Sequence, residues 1–207
     1  MHLWLGAVEP LRYAPSFGMV AVSSTAPPLC SALFSQLIVD IRQLVRAGHT
    51  PASLGGKVAA LLRPQLGRDD LLTPEQMEPT QDGYRQHVLH VEPDGSFSIV
   101  SLVWLPGQCT AVHDHVSWCV VGVHRGEEHE TTYEISGAEG EQHLLARGQA
   151  VNGVGCVAAL VPPGDIHCVR NGGSGLAVSL HIYGADIGRL GSSIRRRYHL
   201  QVRDRSS

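Results

Sequence analysis

None of the five cysteines (Cys30, Cys109, Cys119, Cys156, Cys168) has a partner at C-x-x-C spacing. An odd, scattered set argues against a disulfide framework and against a structural zinc knot, and it suits a reducing compartment, so the expected location is cytoplasmic. Basic excess is also missing. A net charge of -3 and a pI near 6.4 offer no footprint for nucleic acid or anionic lipid, which leaves a small molecule as the expected partner. No apolar run approaches the roughly 20 residues that a membrane span needs, so no membrane association is expected. Residues 1–29 hold apolar patches, but Glu9, Pro10 and Arg12 interrupt them and no cationic start leads into a continuous apolar core. They are expected to be an irregular N-terminal extension. Internal repeats and low-complexity tracts are absent too. Residues 30–207 supply enough chain for one well-buried core and are expected to form a single domain.

What is present divides by periodicity. Between Ser31 and Ala47, Leu33, Leu37, Ile38, Ile41, Leu44 and Val45 recur at helical spacing, and Gly48 stops the run. Residues 50–67 predict a second helix that opens on Thr50 and Pro51 and carries an awkward Gly55-Gly56 pair. From about residue 80 the period changes to two. "YRQHVLHVEPDGSFSIVSLVWL" reads as two strands joined at Asp94-Gly95, and short strands with glycine-rich turns continue to about residue 203. A helical cap over 30–79 and a mainly β barrel or sandwich over 80–203 follow.

"HDHVSWC" answers to strand alternation: His113, His115, Ser117 and Cys119 are expected on one face, with Asp114, Val116 and Trp118 on the other. Two imidazoles aimed into one interior can grip a metal; alternatively, each is simply hydrogen-bonded on a barrel wall. The spacing Gly107, five residues, His113-x-His115, three residues, Cys119, six residues, Gly126 resembles the first signature of the cupin superfamily. Cys119 stands where most cupins carry a metal-binding Glu. "VPPGDIHCVRN" resembles the second signature, with Pro162-x-Gly164, two residues, His167, three residues and Asn171. The resemblance implies a cupin double-stranded β-helix barrel with His113, His115 and His167 as three facial metal ligands. Three neutral imidazoles leave a divalent ion its full charge and, at six-coordination, three adjacent open positions. Zinc accepts three histidines too, but it is usually four-coordinate and cannot pass electrons to dioxygen, so Fe(2+) is the expected cofactor.

On "AVSLHIYG", Ser179, His181 and Tyr183 share one face and Val178, Leu180 and Ile182 the other. The polar face looks either at solvent or into the barrel. Together with the three histidines it resembles the Ser-His-Tyr relay of the cysteine dioxygenase (thiol dioxygenase) family, over roughly residues 80–200. The resemblance implies a non-haem iron(II) enzyme that oxidises a small thiol carboxylate with O2 to the sulfinic acid, with Ser179, His181 and Tyr183 catalytic. It places Cys119 where some members carry a cysteine joined to the tyrosine, implying a Cys119–Tyr183 thioether bond; a free thiol packed as a small hydrophobe is the alternative.

In this family the cysteine-specific members grip the carboxylate with an Arg from the first barrel strand. Those preferring 3-mercaptopropionate carry Gln there and use an Arg from the C-terminal segment. Here Arg85 and Gln86 are adjacent, and alternation lets only one point inward. The surrounding pattern is most similar to the bacterial 3-mercaptopropionate group, with Gln86 inward and Arg195 or Arg196 as the expected carboxylate partner. A solvated basic tail is the alternative for Arg195–Arg197. His87, His90, His124, His129 and His143 read as surface groups or as neighbours of the ligands, and Trp104 and Trp118 as barrel packing or a subunit contact. The sequence allows a monomer or a homo-oligomer. The competing functional class is a non-catalytic metal-binding cupin, a sensor or binding module, which would have no use for a proton relay; a cupin enzyme with another metal and substrate is the third.

Overall fold

A computed structural model of the chain describes residues 31–203. The extension expected over 1–29 lies outside the described residues. Helix α1 spans Ala32–Arg46, with the Ser31 hydroxyl accepting from the Phe34 amide at its start. Phe34, Leu37 and Ile41 form its buried stripe. Helix α2 spans Pro51–Leu62 behind a Thr50 cap. It is shorter than the 50–67 expected, and a single 3-10 turn, Arg63–Gln65, follows. Pro64 offers no amide to continue an α-helical ladder. Gly55 is there because α2 lies hard on the barrel: a methyl at this position would meet the Ala159 Cβ at 3.1 Å.

The strands are β1 (Arg85–Val91), β2 (Ser98–Trp104), β3 (His113–His115), β4 (Cys119–Arg125), β5 (Glu127–Ser136), β6 (His143–Gly153), β7 (Val157–Leu160), β8 (His167–Asn171), β9 (Ala177–Tyr183), β10 (Ile194–Arg197) and β11 (Val202–Arg203); a short helix α3 (Ile187–Leu190) precedes β10. They form a five-stranded sheet in the order β1-β2-β9-β4-β7 and a six-stranded sheet in the order β10-β3-β8-β5-β6-β11. The β1–β2 hairpin turns where expected, with Gly95 at φ 73°. From β2 to β10 consecutive strands alternate between the sheets except at the β5–β6 pair, so the two sheets curl against each other as a double-stranded β-helix, the cupin barrel.

Strand β9 shows why the helices are needed. All of its residues are buried. Val178, Leu180 and Ile182 pack with Ile99, Val103 and Val120 beneath Phe34, Ile41, Val58 and Leu62 of the helices, while Ala177 and Tyr183 pack with Val100, Leu102, Trp104 and Cys119 inside the barrel. The helices therefore cover the apolar outer face of the five-stranded sheet, and the polar face of β9 turns inward. Arg42 of α1 ties this layer to the hairpin through a two-pronged contact with the buried Glu92, at 2.6 and 3.0 Å.

One expectation about alternation fails locally. His113, His115, Ser117 and Cys119 do not lie along one strand: β3 ends at His115, the chain bends through residues 116–118, and Cys119 opens β4 in the other sheet. Cys119 is nonetheless fully buried.

Candidate metal centre

Antiparallel pairing sets His113 of β3 directly opposite His167 of β8, and paired residues share a face. His115, two residues on from His113, joins them. The three ring centroids are 4.7–5.1 Å apart, one ring nitrogen from each lies within 4.8 Å of the others, and all three residues are buried.

The hydrogen bonds decide which nitrogen each ring presents. His113 Nδ1 lies 2.9 Å from the Ala111 carbonyl, His115 Nδ1 2.8 Å from Asp165 Oδ2, and His167 Nδ1 2.6 Å from Glu130 Oε1. A carbonyl and an ionised carboxylate accept only, so each Nδ1 carries the proton and each Nε2 keeps its lone pair. His167 Nε2 is buried with no hydrogen-bond partner among the described residues. Burial, together with the nearby His167 ring, pushes His113 down to about 3, which keeps its imidazole neutral. Hydrogen bonding from His167 holds the Glu130 carboxyl below its ordinary value. Three converging imidazole nitrogens, one of them a buried atom with no partner among the described residues, fit a divalent transition metal.

The second set comes from β9. Tyr183 Oη is 2.9 Å from His181 Nδ1, and His181 Nε2 is 2.9 Å from Ser179 Oγ. Trp104 Nε1 donates to the same Ser179 oxygen at 3.4 Å. Burial pushes His181 well down and Tyr183 well up from their ordinary values, so both stay neutral. The Tyr183 ring is 6.1 Å from the His115 ring, centroid to centroid, and the line ends in the cavity that the three histidines face. Cys119 is the Cα partner of Tyr183 across β4–β9, and both residues are buried in the same cluster.

The rest of the cavity wall is Tyr84, Gln86, Leu102, Trp104, Thr110, Val169 and residues 192–194. Gln86 therefore faces the site, whereas Arg85 points away and pairs with Glu78 at 3.0 Å. The sequence reading chose Arg196 for the substrate, and here the structure differs. Arg196 lies against the outward-facing Asp114, donating at 3.1 and 2.7 Å, with the Tyr198 hydroxyl donating to the same oxygen. Burial raises that carboxyl, and the Arg196 and Tyr198 hydrogen bonds outweigh it and hold it low. The cause is a bulge in β10: Ile194 pairs with His115, Arg196 with Asp114 and Arg197 with His113, so an extra residue fits in between. The bulge brings Arg197 onto the His113 side of the sheet, where its charge is felt by the Tyr84 phenol.

Tyr84, Thr110, Ser193 and the outer partners Glu130 and Asp165 are site residues that the sequence reading missed. Glu130 and Asp165 carried one usable signal, being the kind of carboxylate that orients a metal-bound histidine; nothing local marked the others. Of the remaining histidines, His124 is buried and accepts from the Gly67 amide at 3.2 Å, while His87 and His90 bond to Glu78 and Glu92 on the hairpin side.

Fold and site together describe a cupin barrel built around three converging, buried histidines. Residues 25–190 match the model of the family described as cysteine dioxygenase type I, and the chain belongs to that family. Among solved structures, it is similar to a protein from Thermus thermophilus (19% identity, 56% of this chain and 96% of that chain, TM-score 0.41). It is similar also to a cupin superfamily protein from Desulfitobacterium hafniense (15%, 58% and 95%, TM-score 0.42), and to an RmlC-like cupin from Desulfovibrio desulfuricans (20%, 54% and 92%, TM-score 0.40). The family makes this chain a thiol dioxygenase, and its three buried histidines are a group that could hold a metal ion. No described helix is long and apolar enough to cross a membrane.

Proposed function

We propose that this chain, with residues 30–207 as one domain, is an iron(II) enzyme that converts 3-mercaptopropionate, in preference to L-cysteine, to its sulfinic acid in a reducing, cytoplasmic setting. The observation that carries the reading is the meeting of two sets in one cavity: three imidazoles with free Nε2 lone pairs, and a relay that ends on Tyr183. His113, His115 and His167 would hold the ion. Iron(II) bound there supplies the electrons that activate dioxygen, both atoms of which end on the substrate sulfur. The protein does the rest. Leu102 and Trp104, both buried, keep the cavity dry. Tyr183 holds a hydroxyl beside the sulfur, where it accepts or donates one proton. Arg197, paired with His113 across β10–β3, would supply the fork for the substrate carboxylate. Formation of a Cys119–Tyr183 thioether, with O2 as oxidant, would lock the phenol in place and lower the chain mass by two hydrogen atoms.

The substrate preference rests on what the wall lacks. No carboxylate lines the cavity among the described residues, so the ammonium of cysteine would be buried without a counter-charge. That costs on the order of 1–3 kcal/mol, or about 10-fold to 100-fold in kcat/KM. Oxygen uptake by the iron-loaded chain, run side by side on a panel of small thiols with metal content measured, tests both parts. Iron-dependent uptake with 3-mercaptopropionate ahead of L-cysteine is expected. A preference for cysteine would overturn the substrate choice. Iron and thiol binding without uptake would point instead to a sensor or binding module.

A further inference from the structure

We propose that Glu128 is the fourth member of the Ser179–His181–Tyr183 line, and that the presence or absence of its proton sets which way the Tyr183 hydroxyl points. The proposal deepens the thiol-oxidation reading and rests on it for what Tyr183 faces. Glu128 lies on β5 at 2% exposure, and its Oε1 has no hydrogen-bond partner among the described residues. Its Cα partner Asn171 donates to the Trp104 carbonyl, and Trp104 in turn donates to Ser179. This brings the Glu128 carboxyl to the Ser179 end of the line, where the Ser179 hydroxyl and the Trp104 indole N–H pull it down against the upward push of burial. An isolated buried carboxyl is costly to keep, and nothing in a barrel wall requires one.

Its placement gives it a use. Ser179, His181 and Tyr183 can each donate through one atom while accepting through another, so the line has two complete arrangements. With Glu128 ionised, Ser179 donates to it, His181 Nε2–H donates to Ser179, and Tyr183 donates to His181 Nδ1; the phenol oxygen then offers the cavity only a lone pair. With Glu128 protonated, every bond reverses. Glu128 donates to Ser179, Ser179 to His181 Nε2, and His181 Nδ1–H to Tyr183, whose own proton is free to point into the cavity. Trp104 donates to Ser179 in either arrangement.

One proton converts one arrangement into the other. When a substrate thiol gives its proton to Tyr183 Oη, the phenol proton moves to His181 Nδ1. The Nε2 proton then moves to Ser179, and the Ser179 proton to Glu128. The S–H bond breaks, an O–H bond forms on Glu128, and no group on the way gains or loses net charge. The thiolate is left facing a Tyr183 hydroxyl that now donates to it. The reverse passage returns a proton to the cavity. On its other side Glu128 borders a second cleft, shared with Glu130, Asn152, Cys156 and His167, through which the stored proton can leave.

The groups facing Glu128 suit such a role. Asn152 of β6 and Asn171 of β8 are its Cα partners, and Asn171 spends its amide on Trp104, Gly173 and Gly175. The charged neighbour is Glu130, which His167 engages; His167 and Cys156 are the other titratable groups on the cleft. Burial first, and the Glu130 charge among the lesser causes, pushes Glu128 up to about 7. Burial keeps His181 from charging, so its single proton must sit on one nitrogen or the other.

The test reads that proton directly. In the full-length chain loaded with diamagnetic zinc and carrying 15N-histidine, the His181 signal, assigned with H181Q, should show a proton on Nδ1 at low pH. It should move to Nε2 as pH rises through a midpoint near 7, since ionising Glu128 turns the line. In Glu128→Gln, which has nothing to ionise, the tautomer should not change with pH. Should that variant fail to fold, Ser179→Ala cuts the line: infrared spectroscopy should still show a titrating carboxyl, with a His181 tautomer that no longer follows it. A pH-independent tautomer in the parent, or an unchanged transition in Glu128→Gln or Ser179→Ala, would overturn the proposal. These results need no turnover, so a failure of the iron-loaded chain to consume oxygen with thiols would count against the enzymatic reading separately.

Discussion

Two sets of hydrogen bonds meet at the cavity, and they differ in what their partners can do. On β3 and β8, each histidine leans on a group that only accepts: the Ala111 carbonyl, Asp165 or Glu130. Each ring therefore has one tautomer and one orientation. On β9, the partners of His181 are two hydroxyls, which donate or accept equally well. A metal ligand has to be invariant; a proton relay has to be reversible. The same imidazole serves either purpose, and the chemistry of the atom behind it decides which.

The largest effect should come from removing a fixed member. His167→Ala leaves two imidazoles to hold a labile divalent ion against water, and should lose stoichiometric iron and turnover, as measured by elemental analysis and oxygen uptake. Full iron content with parental turnover would break the ligand assignment. On the reversible side, Tyr183→Phe should keep iron and fold while slowing sulfinate formation by about 10-fold to 1000-fold, the usual range for one positioned proton or hydrogen-bond donor. Parental rates in that variant would make the relay irrelevant to catalysis.

Glu130→Gln sharpens the contrast, because it replaces an acceptor-only partner with an amide that can donate as well. His167 would then no longer be held in one tautomer, and metal affinity should fall about 10-fold to 100-fold, as read by competition with a chelator. Unchanged affinity would mean that the carboxylate does not enforce the tautomer. The smallest effect concerns neither set. Arg197→Ala should raise KM for 3-mercaptopropionate by roughly 10-fold, in line with the loss of a hydrogen bond to a charged group. Arg196→Ala, which removes the Asp114 contact on the outer face, should leave KM within about 3-fold of the parent. The opposite ranking would show that β10 presents Arg196 to the substrate.

Much of this architecture is legible wherever a single period governs. Alternation put His113 and His115 on one face and separated Ser179, His181 and Tyr183 from Val178, Leu180 and Ile182, because a strand offers its side chains only two directions. The helix over 32–46 and the Asp94-Gly95 turn were legible for the same reason: their signals are local. Alternation misled where the ladder was broken. The chain changes sheets between His115 and Cys119, and a bulge before Arg196 makes Arg197 rather than Arg196 the partner of His113. Neither break has a marker such as glycine or proline at the position concerned.

By itself, then, the sequence determined which residue types could do chemistry and which of them share a strand face, since that depends on backbone geometry within a few residues. The tertiary structure decided everything that depends on pairing between distant segments: that the apolar face of β9 lies under helices and its polar face inside the barrel, that Gln86 rather than Arg85 reaches the cavity, and that Glu130 and Asp165 stand behind His167 and His115. It decided the placement of Glu128 as well. Glu128 carries no local signal, and only the pairing of β5 with distant strands buries its carboxyl. Register between strands sets such neighbours, and register follows from how the whole barrel closes rather than from any one stretch of the chain.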